Sequence, residues 1–199
     1  IDSSITPKRL ALAYARPFAA SNPITNRCWN GKVSGGNGGD GFVAARHLLS
    51  AGYNVEVVLA GRALEISHEA ARKNWDALQQ LQGQVLMHEV YDSSLIPEIN
   101  ADVVIDALLG IGVKGEPRPP IRQLIHLVNR LKAFRIAVDV PSGLDADSGK
   151  APGEAVKADL TVTFHKAKPG LLKAERLAGE LKVADIGLPR EFERFAGPG

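Results

Sequence analysis

Residues 34–61 read SGGNGGDGFVAARHLLSAGYNVEVVLAG. Five glycines fall between positions 34 and 42, and Asp40 sits among them. The following FVAARHLLSAG has apolar residues at helical spacing and stops at Gly52, where a helix C-cap is expected. NVEVVLAG is short and β-branched, the pattern of a strand. A glycine turn, a helix and a strand in that order are the parts of an α/β crossover fold.

The rest of the chain continues the alternation. SHEAARKNWDALQQLQ reads as a helix with Ser67 as N-cap, and QVLMHEV as a strand. ADVVIDALLG is a buried-type strand ending in a glycine turn. IRQLIHLVNRLKA is an amphipathic helix opened by Pro119 and Pro120, and FRIAVDVPSG a strand closed by a Pro-Ser-Gly turn. ADLTVTFHKAKPG and GELKVADIG supply two further strands, residues 8–20 a helix at the start, and FAGPG a frayed end. Right-handed βαβ units of this kind imply a mostly parallel sheet covered on both faces, within one domain spanning 1–199. The departure is the segment RCWNGKVSG, which is polar and broken by Asn30 and Gly31 where an apolar first strand is expected.

Lys plus Arg number 24 against 22 Asp plus Glu, scattered along the chain, so no basic surface for nucleic acid is indicated. No apolar run suffices to span a bilayer and no secretory start follows Ile1, so a cytoplasmic protein is expected. The single Cys28 excludes an internal disulfide framework and reads as an inert thiol.

Ligands of open parallel sheets bind beyond the carboxyl ends of the strands. Asp106 in VVIDALLGIGVKG and Asp139 in IAVDVPSGLDADSG both end apolar runs and precede glycine-bearing loops, so both are candidates for function. Asp145 and Asp147 read as turn-forming residues. Gly36, Gly38 and Gly41 satisfy G-x-G-x-x-G, but the preceding polar segment and the pair Gly61 and Arg62 at the end of the next strand do not fit an NAD-type fingerprint. Arg62 leaves an NADP-dependent oxidoreductase as an alternative, and no Walker A loop is present. Asp40 at the helix opening complements the dipole yet repels a pyrophosphate at the same amides, which favours hydroxyl groups, an amide or a cation there. Asn37, Asp106 and Ser142 offer hard oxygen ligands for such a cation. The histidines are dispersed and lack zinc spacing; only His165 follows a strand closely enough to be of interest.

GGNGGDGFVAARHL, VVIDALLGIGVKGEPRPPIRQLI, AVDVPSGLDADSG and ADLTVTFHKAKPGLL resemble, in order and spacing, the YjeF N-terminal domain family of NAD(P)H-hydrate epimerases over residues 34–190. The resemblance implies a Rossmann-like three-layer α/β/α sandwich, a homodimer, and interconversion of the R and S forms of hydrated NADH and NADPH. It also implies cooperation with an NAD(P)H-hydrate dehydratase, fused to this domain in many relatives. Gly36, Asn37, Gly38, Gly39 and Asp40 are similar to the substrate-binding turn, as are Gly110, Ile111, Gly112, Val113, Lys114, Gly115, Glu116 and Asp139 to the other substrate positions. Asn37, Asp106 and Ser142 match potassium-ligand positions, and Gly36 stands where relatives carry the first Asn of a pair. The implied reaction can lose hydroxide to an iminium-like species and re-add water to the other face, with Asp106 or Asp139 handling the protons. Lys168 in FHKAKPG reads as a solvated surface residue that could lend charge to the pocket. A non-catalytic binding module on the same fold is the other alternative.

Overall fold

The computed structural model describes residues 28–32, 36–81, 83–112 and 114–187. The expected helix at 8–20, the Cys28 thiol and the tail at 195–199 lie outside what it describes. Seven parallel strands form one sheet in the order β3-β2-β1-β4-β5-β6-β7. They are β1 (Cys28–Lys32), β2 (Val55–Ala60), β3 (Val85–Glu89), β4 (Val103–Ala107), β5 (Phe134–Val138), β6 (Leu160–Phe164) and β7 (Glu180–Ala184). The helices are α1 (Gly36–Ser50), α2 (Glu69–Gln79), α3 (Ile121–Arg130) and the short α4 (Pro169–Lys173) and α5 (Glu175–Ala178).

The layering follows from side-chain alternation along the strands. Val55, Val57 and Leu59 of β2 pack with Phe42, Leu48 and Trp75 of α1 and α2, whereas Val58 and Ala60 pack with Leu124, Ile125 and Val128 of α3 on the opposite face. Helices on both faces make the expected three-layer sandwich.

Three sequence expectations are corrected. RCWNGKVSG does contain a strand: β1 pairs in parallel with β2 (Cys28 opposite Val57) and with β4 (Trp29 opposite Asp106), with an irregularity between Asn30 and Lys32. Neighbours on both sides complete its ladder, which overrides weak local propensity. The glycine cluster is not a turn but the first part of α1, so Asp40 lies beyond the first helical turn and is not placed by the dipole. Gly38, Gly39 and Gly41 are buried, and a Cβ on Gly39 would stand 3.2 Å from the Cβ of Ala71, so Gly39 permits close approach of α1 and α2. Phe42 meets Trp75 edge-on at 5.3 Å across the same contact. Finally, α2 is capped by His68 rather than Ser67, without a side-chain hydrogen bond.

The chain runs β1, β2, β3 toward one edge and then returns to place β4 on the other side of β1. This reversal of strand order makes the β1–β4 boundary a switch point, and in open parallel sheets ligands bind beyond the carboxyl ends of the strands there.

Candidate functional site

Asp106, near the end of β4, and Ser142, in the turn after β5, are both 0% exposed. Oδ1 of Asp106 accepts the Leu108 N–H at 3.2 Å and the Ser142 hydroxyl at 2.5 Å, and Oδ2 accepts the Ser142 N–H at 2.8 Å. Ser142 Oγ accepts the Leu109 N–H at 2.8 Å, and the Leu109 carbonyl accepts Nδ2 of Asn37 at 2.9 Å. Asn37, Asp106 and Ser142, remote in sequence, are thus tied together around the backbone of Leu109. Gly110 completes the fit: a Cβ there would lie 3.1 Å from that of Asn37.

Burial pushes the Asp106 carboxyl up to about 6, although the hydrogen bonds from Ser142 and Leu108 pull it down. Among the described residues no cation offsets its charge. A carboxylate has about four acceptor positions, of which three are engaged; Ser142 Oγ accepts once and donates once, and Asn37 keeps its Oδ1. Each of the three side chains therefore retains an oxygen lone pair, and the set is purely hard oxygen, the chemistry of an alkali or alkaline-earth ion. Among the described residues no group of three or more His, Cys, Asp or Glu is arranged to hold a metal ion.

The second carboxylate is held differently. Asp139 follows β5 with φ 66°, a left-handed conformation that a non-glycine residue adopts only under constraint. The constraint comes from β6: Oδ1 accepts the Phe164 N–H at 3.1 Å, the Thr163 hydroxyl at 3.2 Å and the Lys168 ammonium. Lys168 also donates to Thr163 Oγ1 and to the Phe164 carbonyl, both at 2.9 Å. Its side chain is 20% exposed, so Lys168 is an ordered ion-pair partner of Asp139 rather than a solvated surface lysine. Among the described residues every side-chain hydrogen bond of Asp139 falls on Oδ1, leaving Oδ2 for a ligand.

Asp40 lies near this pair. Burial, and then the charge of Asp139, push its carboxyl up to about 6, against the opposing influence of His68. Asp40, Asp139 and Lys168 form a partly buried charged group beside the all-oxygen group of Asn37, Asp106 and Ser142.

The other expected residues fall on the rim. Gly36 is exposed, and a Cβ there would meet nothing within 4 Å. Ile111, Gly112, Lys114, Gly115 and Glu116 form an exposed loop after β4; Val113 lies outside the described residues. Glu116 lies against Gly153 and pairs with Arg122 at 3.7 Å. Asp145 accepts from the Ser148 N–H and hydroxyl, both at 2.7 Å, as a turn residue should. His165 has φ 65° and lies beside the Asp139 anchor without joining it. Thr163 and the Leu109 backbone were not foreseen, and Lys168, considered as a source of charge, was read as solvated rather than paired. Only Lys168 carried a signal, as a lysine just before the proline that opens α4.

Residues 31–170 match the family model described as YjeF-related protein N-terminus. The chain is 48% identical over 200 residues to a bifunctional NAD(P)H-hydrate repair enzyme of Methanothermobacter thermautotrophicus, covering 96% of this chain and 38% of that one. It is 42% identical over 161 residues to an NAD(P)H-hydrate epimerase of Cenarchaeum symbiosum, covering 80% and 74%. The crystal structure of yeast ynu0 superposes with a TM-score of 0.75 at 24% identity, covering 98% of this chain and 86% of that one, which establishes the shared fold. The chain thus spans well under half of the bifunctional relative's length.

Proposed function

This chain belongs to the YjeF-related N-terminal family, and from that premise we propose that it is an isomerase that interconverts the R and S forms of hydrated NADH and NADPH. The names of its relatives support the substrate class. The observation that carries the reading is the pairing of two unlike groups at the carboxyl ends of adjacent strands: Asn37, Asp106 and Ser142 linked through Leu109, and Asp139 anchored through Oδ1.

Inversion at the hydroxylated ring carbon needs an acid while the hydroxyl leaves as water, and a base while water adds to the opposite face. The ring nitrogen lone pair stabilises the intervening cation, and no electrons are gained or lost. Asp139 suits the proton work, because Lys168, Phe164 and Thr163 fix its orientation without engaging Oδ2. Asp40, held near neutrality, is a second proton carrier on the same rim. Asp106 is enclosed and engaged at three of its acceptor positions, so the proton function considered for it passes to Asp139. In this reading Asn37, Asp106 and Ser142 hold a potassium ion. When bound, it would offset the Asp106 charge and lend a fixed positive field to substrate oxygen. Lys114, Gly112 and Gly115 line the approach for the rest of the dinucleotide.

Epimerisation restores to a dehydratase the isomer it can use, which fits the bifunctional names of the longer relatives. The same reading includes a homodimer, for which equilibrium sedimentation is the test. The reaction itself is tested by chiral chromatography of one isolated NADHX isomer incubated with the protein in potassium or in a large organic cation. Equilibration of the isomers, faster in potassium, is expected; a hydrate that keeps its configuration in both buffers refutes the function.

A further inference from the structure

We propose that Arg62, stacked on Tyr91 at the end of β2, is the subsite for the 2′-phosphate of hydrated NADPH; this rests on the substrate class proposed above. Asp139 places the reacting ring beyond β5, and the sheet order puts β2 three strands away across the β1–β4 switch point. Three strand spacings are roughly 14 Å, a distance an extended dinucleotide covers, so its adenosine half would lie over the end of β2. In doubly wound folds that strand end meets the adenosine ribose, and an arginine there accommodates a 2′-phosphate.

The local structure suits this use. Gly61, with φ 138°, turns the chain out of β2 and leaves Arg62 exposed. The guanidinium carbon stands 4.2 Å from the centroid of the Tyr91 ring. Stacking orients the planar fork while leaving its N–H edges for a phosphate, which it can grip with two parallel hydrogen bonds. Among the described residues Arg62 has no carboxylate ion-pair partner. The two nearby acids are engaged by backbone: Glu89 accepts the Ala63 N–H at 2.8 Å, and Glu65 accepts the Arg62 N–H at 3.4 Å. Without the guanidinium, these carboxylates would repel a 2′-phosphate and leave a 2′-hydroxyl unaffected. Arg62 therefore decides between the two forms of the cofactor.

The test compares wild type with Arg62→Gln and Tyr91→Leu on NADPHX and NADHX, alongside calorimetric binding of 2′,5′-ADP and 5′-AMP. Arg62→Gln is expected to lower kcat/KM for NADPHX by about tenfold or more and to weaken 2′,5′-ADP by a similar factor, with NADHX and 5′-AMP changed less than about twofold. Tyr91→Leu is expected to give a smaller loss in the same direction. An unchanged NADPHX-to-NADHX ratio, an equal loss on both, or failure of the wild type to favour 2′,5′-ADP over 5′-AMP overturns the proposal. A wild type that binds 2′,5′-ADP selectively but epimerises neither hydrate would overturn the reaction and leave the subsite standing.

Discussion

Lys168 directs its ammonium at three acceptors within the protein: the Asp139 carboxylate, the Thr163 hydroxyl and the Phe164 carbonyl. A lysine so engaged has no donor to spare for substrate, so its function is to hold Asp139 in its left-handed backbone conformation. Lys168→Met should lower kcat by about a hundredfold with KM changed less, and destabilise the fold by roughly 1–3 kcal/mol, because it leaves a partly buried carboxylate without its cation. Steady-state kinetics and denaturant unfolding measure the two effects. Asp40 gives a pH-dependent counterpart. Its folded pKa of about 6 lies above the ordinary 3.8, so the folded state binds that proton more tightly than the unfolded chain does. The resulting stabilisation is complete below the ordinary value and disappears as pH rises through 6. Asp40→Asn should therefore be more stable than wild type by on the order of 1–3 kcal/mol at pH 8 and close to it at pH 4, as thermal unfolding at the two pH values would show.

At the scale of elements, α1 shows why composition misleads. Glycines weaken helices by about 1 kcal/mol each relative to alanine, and a cluster of them reads as a turn. Here the cluster is helical from Gly36, and within it a missing side chain is what packing requires at Gly39, which faces Ala71. Gly39→Val should cost about 1–3 kcal/mol through overpacking between α1 and α2, read as a lower denaturant midpoint. Gly143 is more constrained, since it has φ 93° and a Cβ would meet the Glu154 carbonyl oxygen at 2.6 Å. Gly143→Ala, which distorts the turn carrying Ser142, should lose more stability than Gly39→Ala. Strand β1 carries the converse lesson, since pairing on both sides builds a strand from residues of weak propensity.

For the whole molecule, the decisive event is convergence at the switch point. Asp106→Asn would place an amide where Oδ1 and Oδ2 accept from Leu108 and from both donors of Ser142, so one donor must face another. A cost of roughly 1–3 kcal/mol follows, with loss of any potassium activation. Activity titrated against potassium and the unfolding midpoint test these together. Acting alone, residues 1–199 should leave the total amount of hydrate constant while its isomers equilibrate, and a dehydratase activity should be needed to deplete it. A fall in total hydrate without an added dehydratase would contradict the isomerase reading. The alternation of strands and long helices from β2 onward, the sheet class and the strand-end positions of Asp106 and Asp139 were legible in the sequence. The register that joins Asp106 to Ser142 and the approach of Lys168 to Asp139 were not.

By itself the sequence determined the alternation of strands and helices, because hydrophobic period and turn residues act over a few positions. It also specified which oxygen-bearing side chains stand at the strand ends. Tertiary structure alone decided that the glycine cluster is helical, that β1 exists, and that Lys168 is bound to Asp139 while Asp106 is enclosed by Ser142 and Leu108. Each of those outcomes depends on contacts between segments far apart in the chain, where burial and hydrogen-bond completion outweigh local preference.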